Sequence, residues 1–389
     1  MFGLNKLADR DFIIGFVLPV LISYLAAAGL FYDYLPSTEF VAKLAEDKSF
    51  ASLTVVVLAV WTGATILMAL NRILYRLLEG YVGPLAREDW RNEAREQRKQ
   101  KLAKLHLCYE NCYFNKSVDL TDQISEARRI YASLRAQFLI EFPSDALVMP
   151  TSFGNTVRAF ENYSNEVYKL DGISGWSRLI GVLPPNYVSI INDAHAEVDF
   201  WVNCCCLSAL ISLAAATRVG FDIIMVVWGG SKFALMDFYL GVYSAILLYL
   251  SSLFYKCANE RAIDWGSSVK SAFDLYLPVL AKQLGYELPK TRSGPLGQDE
   301  FWDSVTAMFL VQTPLRSEEW KAVSSSDGKA SEAKVDSVDK EKSEGEADAG
   351  GENSDSNSDS SPPDVEAQDP LPPKEETLDK NEANAPQII

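Results

Sequence analysis

Histidine is nearly absent: His106 and His195 are the two in 389 residues, which leaves little material for a Ser-His or Cys-His catalytic arrangement. The six cysteines fall at Cys108, Cys112, Cys204, Cys205, Cys206 and Cys257, a distribution that builds no regular disulfide framework, so reduced thiols are expected. His106, Cys108 and Cys112 make no zinc set, because on one helix the first two point in different directions and no fourth ligand follows. Between Arg87 and Asp199 there are no alternating runs long enough for a sheet. No catalytic, nucleotide or metal motif stands out, and neither a cofactor nor a nucleic-acid partner is expected.

Charge is missing from the middle of the long apolar runs. Spanning about 30 Å of hydrocarbon takes about 20 apolar residues, and four blocks qualify, at about 12–32, 52–71, 200–217 and 233–255. The fourth has Asp237 near its outer end, and at mid-membrane all four lack acidic and basic side chains, which argues against a proton-coupled carrier and leaves open a channel lined by hydroxyls and backbone. The first block exceeds a signal-peptide core, and Tyr32 to Pro36 offers no small-x-small cleavage site, so a retained helix is expected. Pro19 within it predicts a mild kink, tolerated where a neighbour satisfies the freed carbonyl. Phe221 to Trp228 is apolar but too short to span; interfacial, re-entrant and longer-third-helix readings all stay open.

Lysine and arginine set the orientation. Arg72, Arg76, Arg87, Arg91, Arg95, Arg98, Lys99, Lys101 and Lys104 follow the second block, and Lys256, Arg261 and Lys270 follow the fourth. The opposite loops hold Lys43, Lys48, Arg218 and Lys232. That bias places the middle of the chain and both termini in the cytoplasm.

The formal charge of -16 is uneven. Residues 322–389 hold 18 Asp and Glu against 6 Lys and Arg, net -12, which leaves -4 for residues 1–321. Rich in Ser, Asp, Glu and Pro, that tail cannot offset its ordering entropy by burial and is expected to be disordered. It suits a basic protein partner, and Ser354, Ser356 and Ser358 would gain charge on phosphorylation.

The expected organisation is all-α and integral to the membrane: 1–82 with the first two spans, a helical cytoplasmic domain at 83–199, spans three and four in 200–257, a helical segment at 258–321 kinked at Pro278, and the acidic tail at 322–389. Within the middle domain, Thr151 or Ser152 caps a helix through Val157, Phe160 and Tyr163. Asn155, Arg158, Glu161, Tyr163, Tyr168, Asp171, Trp176 and Arg178 form a candidate polar network, with Arg158 and Glu161 spaced to pair on one face. In the spans, Ser208, Ser212, Tyr239, Tyr243, Tyr249 and Ser252 are candidates for helix packing or pore lining.

The stretch Gly154-Asn155, Arg158-Ala159, Glu161, Tyr163, then Tyr168, Asp171, Trp176, Arg178-Leu179 and Leu183-Pro184 resembles that of a group of bacterial four-helix membrane proteins for which no activity is known. It departs from that pattern at Lys169, where a glycine is expected, and at Ser177, where a proline is expected. The resemblance implies the same topology and carries no activity. The expected function is a membrane-anchored interaction or sensing module at the cell's inner membrane, with lipid as partner and homo-oligomers open. The alternatives are a homo-oligomeric channel or pore, and a membrane enzyme using Glu161 and Asp171.

Overall fold

A computed structural model describes residues 10–31, 50–113, 121–228, 235–294, 296–315 and Trp320. The expected disordered tail with its three serines, and the loops carrying Lys43, Lys48 and Lys232, lie outside the described residues.

Every extended element among the described residues is a helix. Helix α1 begins as Arg10–Phe12, passes through a π-helical turn at Ile13–Val17 and continues as Leu18–Phe31. Helix α2 covers Phe50–Leu78, α3 Glu88–Tyr113 and α4 Thr121–Glu141. Three short helices follow: α5 at Ser152–Glu161, α6 at Tyr163–Tyr168 and α7 at Gly172–Leu179. Then come the two longest, α8 at Pro185–Val227 and α9 at Leu235–Gln283, and finally α10 at Gln298–Val311. Helices α1, α2, α8 and α9 are long and apolar enough to cross a membrane.

The boundaries have local causes. Tyr81 N–H reaches the Arg76 carbonyl at 2.9 Å and Gly80 N–H reaches Leu77 at 3.1 Å, a Schellman pair that closes α2. The helix beyond Pro84 is therefore a new element and not a continuation of α2. Pro143 follows the end of α4, and the Thr151 hydroxyl caps α5 by accepting from Gly154 N–H at 3.0 Å. The helix expected through Tyr163 breaks at Asn162, which ends α5 and starts α6. Pro185 sits in the first turn of α8, where its missing N–H costs nothing. Helix α8 then runs on through Phe221 to Val227, so this part of the short apolar stretch belongs to a longer third helix. Pro278 lies inside a single continuous α9.

The described residues divide into two compact units, one holding those up to 99 and from 136 to 320, the other those within 100–135. In the second, Leu105 and Tyr131 are buried and the Tyr109 and Tyr131 rings lie 5.5 Å apart.

The first unit holds the main core. Phe153, Val157, Phe160, Leu170, Leu179 and Val198 pack with Ala262, Phe273, Leu277, Phe301, Trp302 and Val305. Each such large side chain contributes about 1.5–3 kcal/mol by leaving water, so this cluster, more than helix propensity, holds α5 to α7 on α8, α9 and α10. In the apolar lengths the pattern is reversed: Leu25, Leu58, Leu210 and Leu248 are exposed, while Ser208, Ser212, Ser244 and Ser251 are buried. Polar groups inside and leucines outside suit a surrounding solvent of hydrocarbon.

Lys169, at the position where the resemblance expects glycine, ends α6 with φ of 64°, in the left-handed region. A side chain there costs of order 1–3 kcal/mol, against about 0.5–1 for glycine's extra unfolded-state freedom. Lys169→Gly should therefore stabilise the fold by about 1 kcal/mol, read from the denaturant midpoint in detergent; a loss of stability would contradict the assigned backbone.

Candidate functional site

Three polar residues sit four apart where α8 enters its apolar length: His195, Asp199 and Asn203. That spacing places them on one helix face, which packs on α1 and α2. Asp199 is buried, and its Oδ1 accepts from Asn71 Nδ2 at 2.9 Å and from the Tyr75 hydroxyl at 2.8 Å. His195 Nδ1 stands 3.5 Å from Oδ2 and is partly exposed. A buried carboxylate costs several kcal/mol unless donors replace its water, and α2 supplies two of them. A cleft of about 220 Å³ has Asp199, His195, Asp11, Phe12, Phe16 and Met68 in its walls.

Asn203 has a second task. Pro19 has no N–H for the carbonyl of Gly15, four residues earlier, and Asn203 Nδ2 donates to that oxygen at 2.8 Å. The π-turn just before Pro19 belongs to the same adjustment, with Leu18 N–H bonding to Ile13. Gly15 is needed for the approach of α8: a Cβ there would lie 3.1 Å from the Asp199 Cβ.

The expected polar network divides into separate groups. Arg158 Nη1 donates to Glu161 Oε2 at 3.0 Å, and Nη2 donates to the Tyr81 hydroxyl beyond α2. Burial raises the Glu161 pKa from its ordinary value, with Arg158 opposing. Tyr163 and Tyr168 both donate to Asp274 Oδ1 of α9, at 2.9 and 2.7 Å. Asn155 pairs with both backbone groups of Met149, at 2.7 and 3.0 Å. Asp171 caps α7 by accepting from Ser174 N–H at 2.8 Å. Arg178 lies 3.9 Å over the Phe309 ring of α10, and Trp176 leans on Phe273 at 5.9 Å. The two carboxylates of the enzyme alternative thus have different structural partners.

The two phenols give a pH prediction. Burial and the bonds to Asp274 raise both pKa values, Tyr168 to about 12. A raised folded-state value means the folded form holds its proton more tightly. The contribution is complete below the unfolded value of about 10 and fades as pH rises through about 12. Stability should fall across that window, and Tyr163→Phe with Tyr168→Phe should flatten the fall in a pH series of thermal unfolding.

Phe160, Trp176, Trp265 and Phe273, with Glu161, line a second cleft of about 270 Å³ in the helical body. Trp265 belongs to two sites at once: its ring centroid is 4.9 Å from Phe160 in the cleft and 4.6 Å from His195 beside Asp199.

Among the candidates in the apolar helices, Ser212 Oγ donates to the Ser244 carbonyl at 2.8 Å across α8 and α9, and Tyr243 donates to the Ala26 carbonyl of α1 at 2.9 Å. Ser208 and Ser252 bond within their own helices, and Tyr239 and Tyr249 are exposed on the outer surface.

Sequence reasoning passes over Asn71, Tyr75, Asp199 and Trp265. One signal was present, the polar face His195-Asp199-Asn203 running into an apolar block. No protein-family model, curated protein or solved structure matches this chain.

Proposed function

We propose that the chain is a multi-pass protein of the cell's inner membrane and acts as a membrane-anchored sensing or interaction module. In this reading α1, α2, α8 and α9 span the bilayer, and both termini and the helical body lie on the cytoplasmic side, where the arginine-rich flanks favour them. Trp265 carries the proposal: it is a wall of the aromatic cleft and also packs on His195, which faces buried Asp199. Helix α9 joins this point to the span without a break. A change in helix packing within the bilayer would move a wall of the cleft, and occupation of the cleft would bear on the span.

The polar groups of the spans also favour this reading over a pore, because Ser212, Ser244 and Tyr243 are engaged between helices. A disturbance placed far from the cleft tests it. Ser212→Leu in the full chain in nanodiscs should speed amide exchange across residues 152–179 by about tenfold. Unchanged exchange would overturn the coupling. Reproducible single-channel currents in planar bilayers, lost on substitution of Tyr243, would replace the reading with the channel.

A further inference from the structure

Around Asp199 the unmet hydrogen-bonding capacity is all of one kind. Asn71 and Asn203 each have a buried side-chain oxygen, Oδ1, without a hydrogen-bond donor, and Asn203 is fully buried. Their amide orientations are fixed from the other side: each Nδ2 must face an acceptor, Asp199 Oδ1 for Asn71 and the Gly15 carbonyl for Asn203. Neither amide gains by flipping.

Both asparagines are neighbours of Asp199. Asn71 is bonded directly to the carboxylate. Asn203 lies one turn beyond Asp199 on the same face of α8, and its partner Gly15 is packed against the Asp199 side chain. Asp199 Oδ2 receives no hydrogen bond from Asn71 or Tyr75, since both donate to Oδ1. Two buried amide oxygens without donors thus belong to side chains next to one buried carboxylate, a setting that favours positive charge. An orphaned buried acceptor costs about 1–3 kcal/mol, so a pair of them beside a charge needs a reason.

We propose that Asp199, Asn71 and Asn203 bind one alkali-metal cation. Oxygen donors are the ligands of hard cations, and amide or carbonyl oxygens replace the hydration shell of such ions in membrane proteins. A single carboxylate matches a single positive charge. The chemistry excludes soft metals, which prefer thiolate or imidazole. Entry is through the cleft that has Asp11 and His195 in its walls; Arg10, at the start of α1, is paired with Asp193 at 3.6 Å. The His195 imidazole, 3.5 Å from Oδ2, is the competitor: in its protonated form it supplies the same charge from the side. The cation site rests on the oxygens alone and is independent of the sensing role.

The test compares unfolding of the full-length protein in nanodiscs in NaCl, KCl and choline chloride at equal ionic strength and neutral pH. An alkali cation that fills the site should raise the midpoint by about 3 °C over choline, saturably, as expected for a ligand at roughly ten times its Kd. Radiolabelled Na⁺ or the K⁺ analogue Rb⁺ should bind at one site per chain. Asp199→Asn, which keeps shape and removes charge, should abolish both effects. If sodium, potassium and choline give the same midpoint and no labelled ion is retained, the site holds water and the proposal fails. That outcome is measured on the unaltered protein and does not depend on whether the variant folds.

Discussion

Replacing Asn203 by leucine is expected to lower unfolding stability by about 2–3 kcal/mol, measured in choline chloride so that no alkali ion contributes. A typical hydrogen bond between membrane helices is worth only about 0.6 kcal/mol, because the unfolded chain in the bilayer finds other partners. The larger figure applies here for a specific reason. Pro19 has already removed the N–H that would serve the Gly15 carbonyl within α1, and Asn203 Nδ2 is its donor at 2.8 Å. Leucine would leave that carbonyl buried and unpaired, at the full desolvation cost. The mechanism is separable by a double-mutant cycle. In a Pro19→Ala background, residue 19 regains an N–H that can bond to Gly15, so the loss from Asn203→Leu should shrink to about 1 kcal/mol. Equal losses in both backgrounds would show that Asn203 stabilises the protein by some other contact.

This pair also marks where the sequence is legible. Pro19 announces a freed carbonyl in α1, and Asn203 stands out in an apolar block, but nothing in one sequence joins two residues so far apart in the chain. Asp199 is the same case. Its four-residue spacing with His195 and Asn203 gives a polar helix face, yet Asn71 and Tyr75 come from α2, more than a hundred residues away. What could be read was local: the Thr151 cap, the break at Pro184-Pro185 and the Arg158–Glu161 pair at three-residue spacing. The long helices were also readable from their apolar length, although α8 and α9 run well past the block boundaries, because continued helix costs little once one end is packed. The motif residues had readable types and unreadable tasks. Asn155 latches a backbone and Asp171 caps a helix, and the spacing that names them as polar does not say which partner each will meet.

Gly172→Ala is expected to cost about 3 kcal/mol and to deform the aromatic cleft. A Cβ at this position would overlap the Glu161 carbonyl oxygen, and the obstacle is backbone, which cannot rotate away. Overpacking a core costs about 1–3 kcal/mol when side chains can adjust, so the upper end applies. The segment leading into Gly172 has little freedom to retreat. Ser164 Oγ holds the Leu170 carbonyl at 2.8 Å, and Thr306 Oγ1 donates to the Lys169 carbonyl at 3.1 Å while accepting from Asp171 N–H at 3.0 Å. The strain must therefore pass into α7, whose Ile173 and Trp176 line the cleft with Gly172. Gly181→Ala is the control, since a Cβ there meets nothing within 4 Å, and its effect should stay within about 0.5 kcal/mol. Denaturant unfolding of the two variants, with tryptophan emission as a second readout, decides the matter. If both alanines are equally tolerated, the backbone approach between α5 and α7 is looser than described, and the cleft loses the rigid wall on which its selectivity for a ligand would depend.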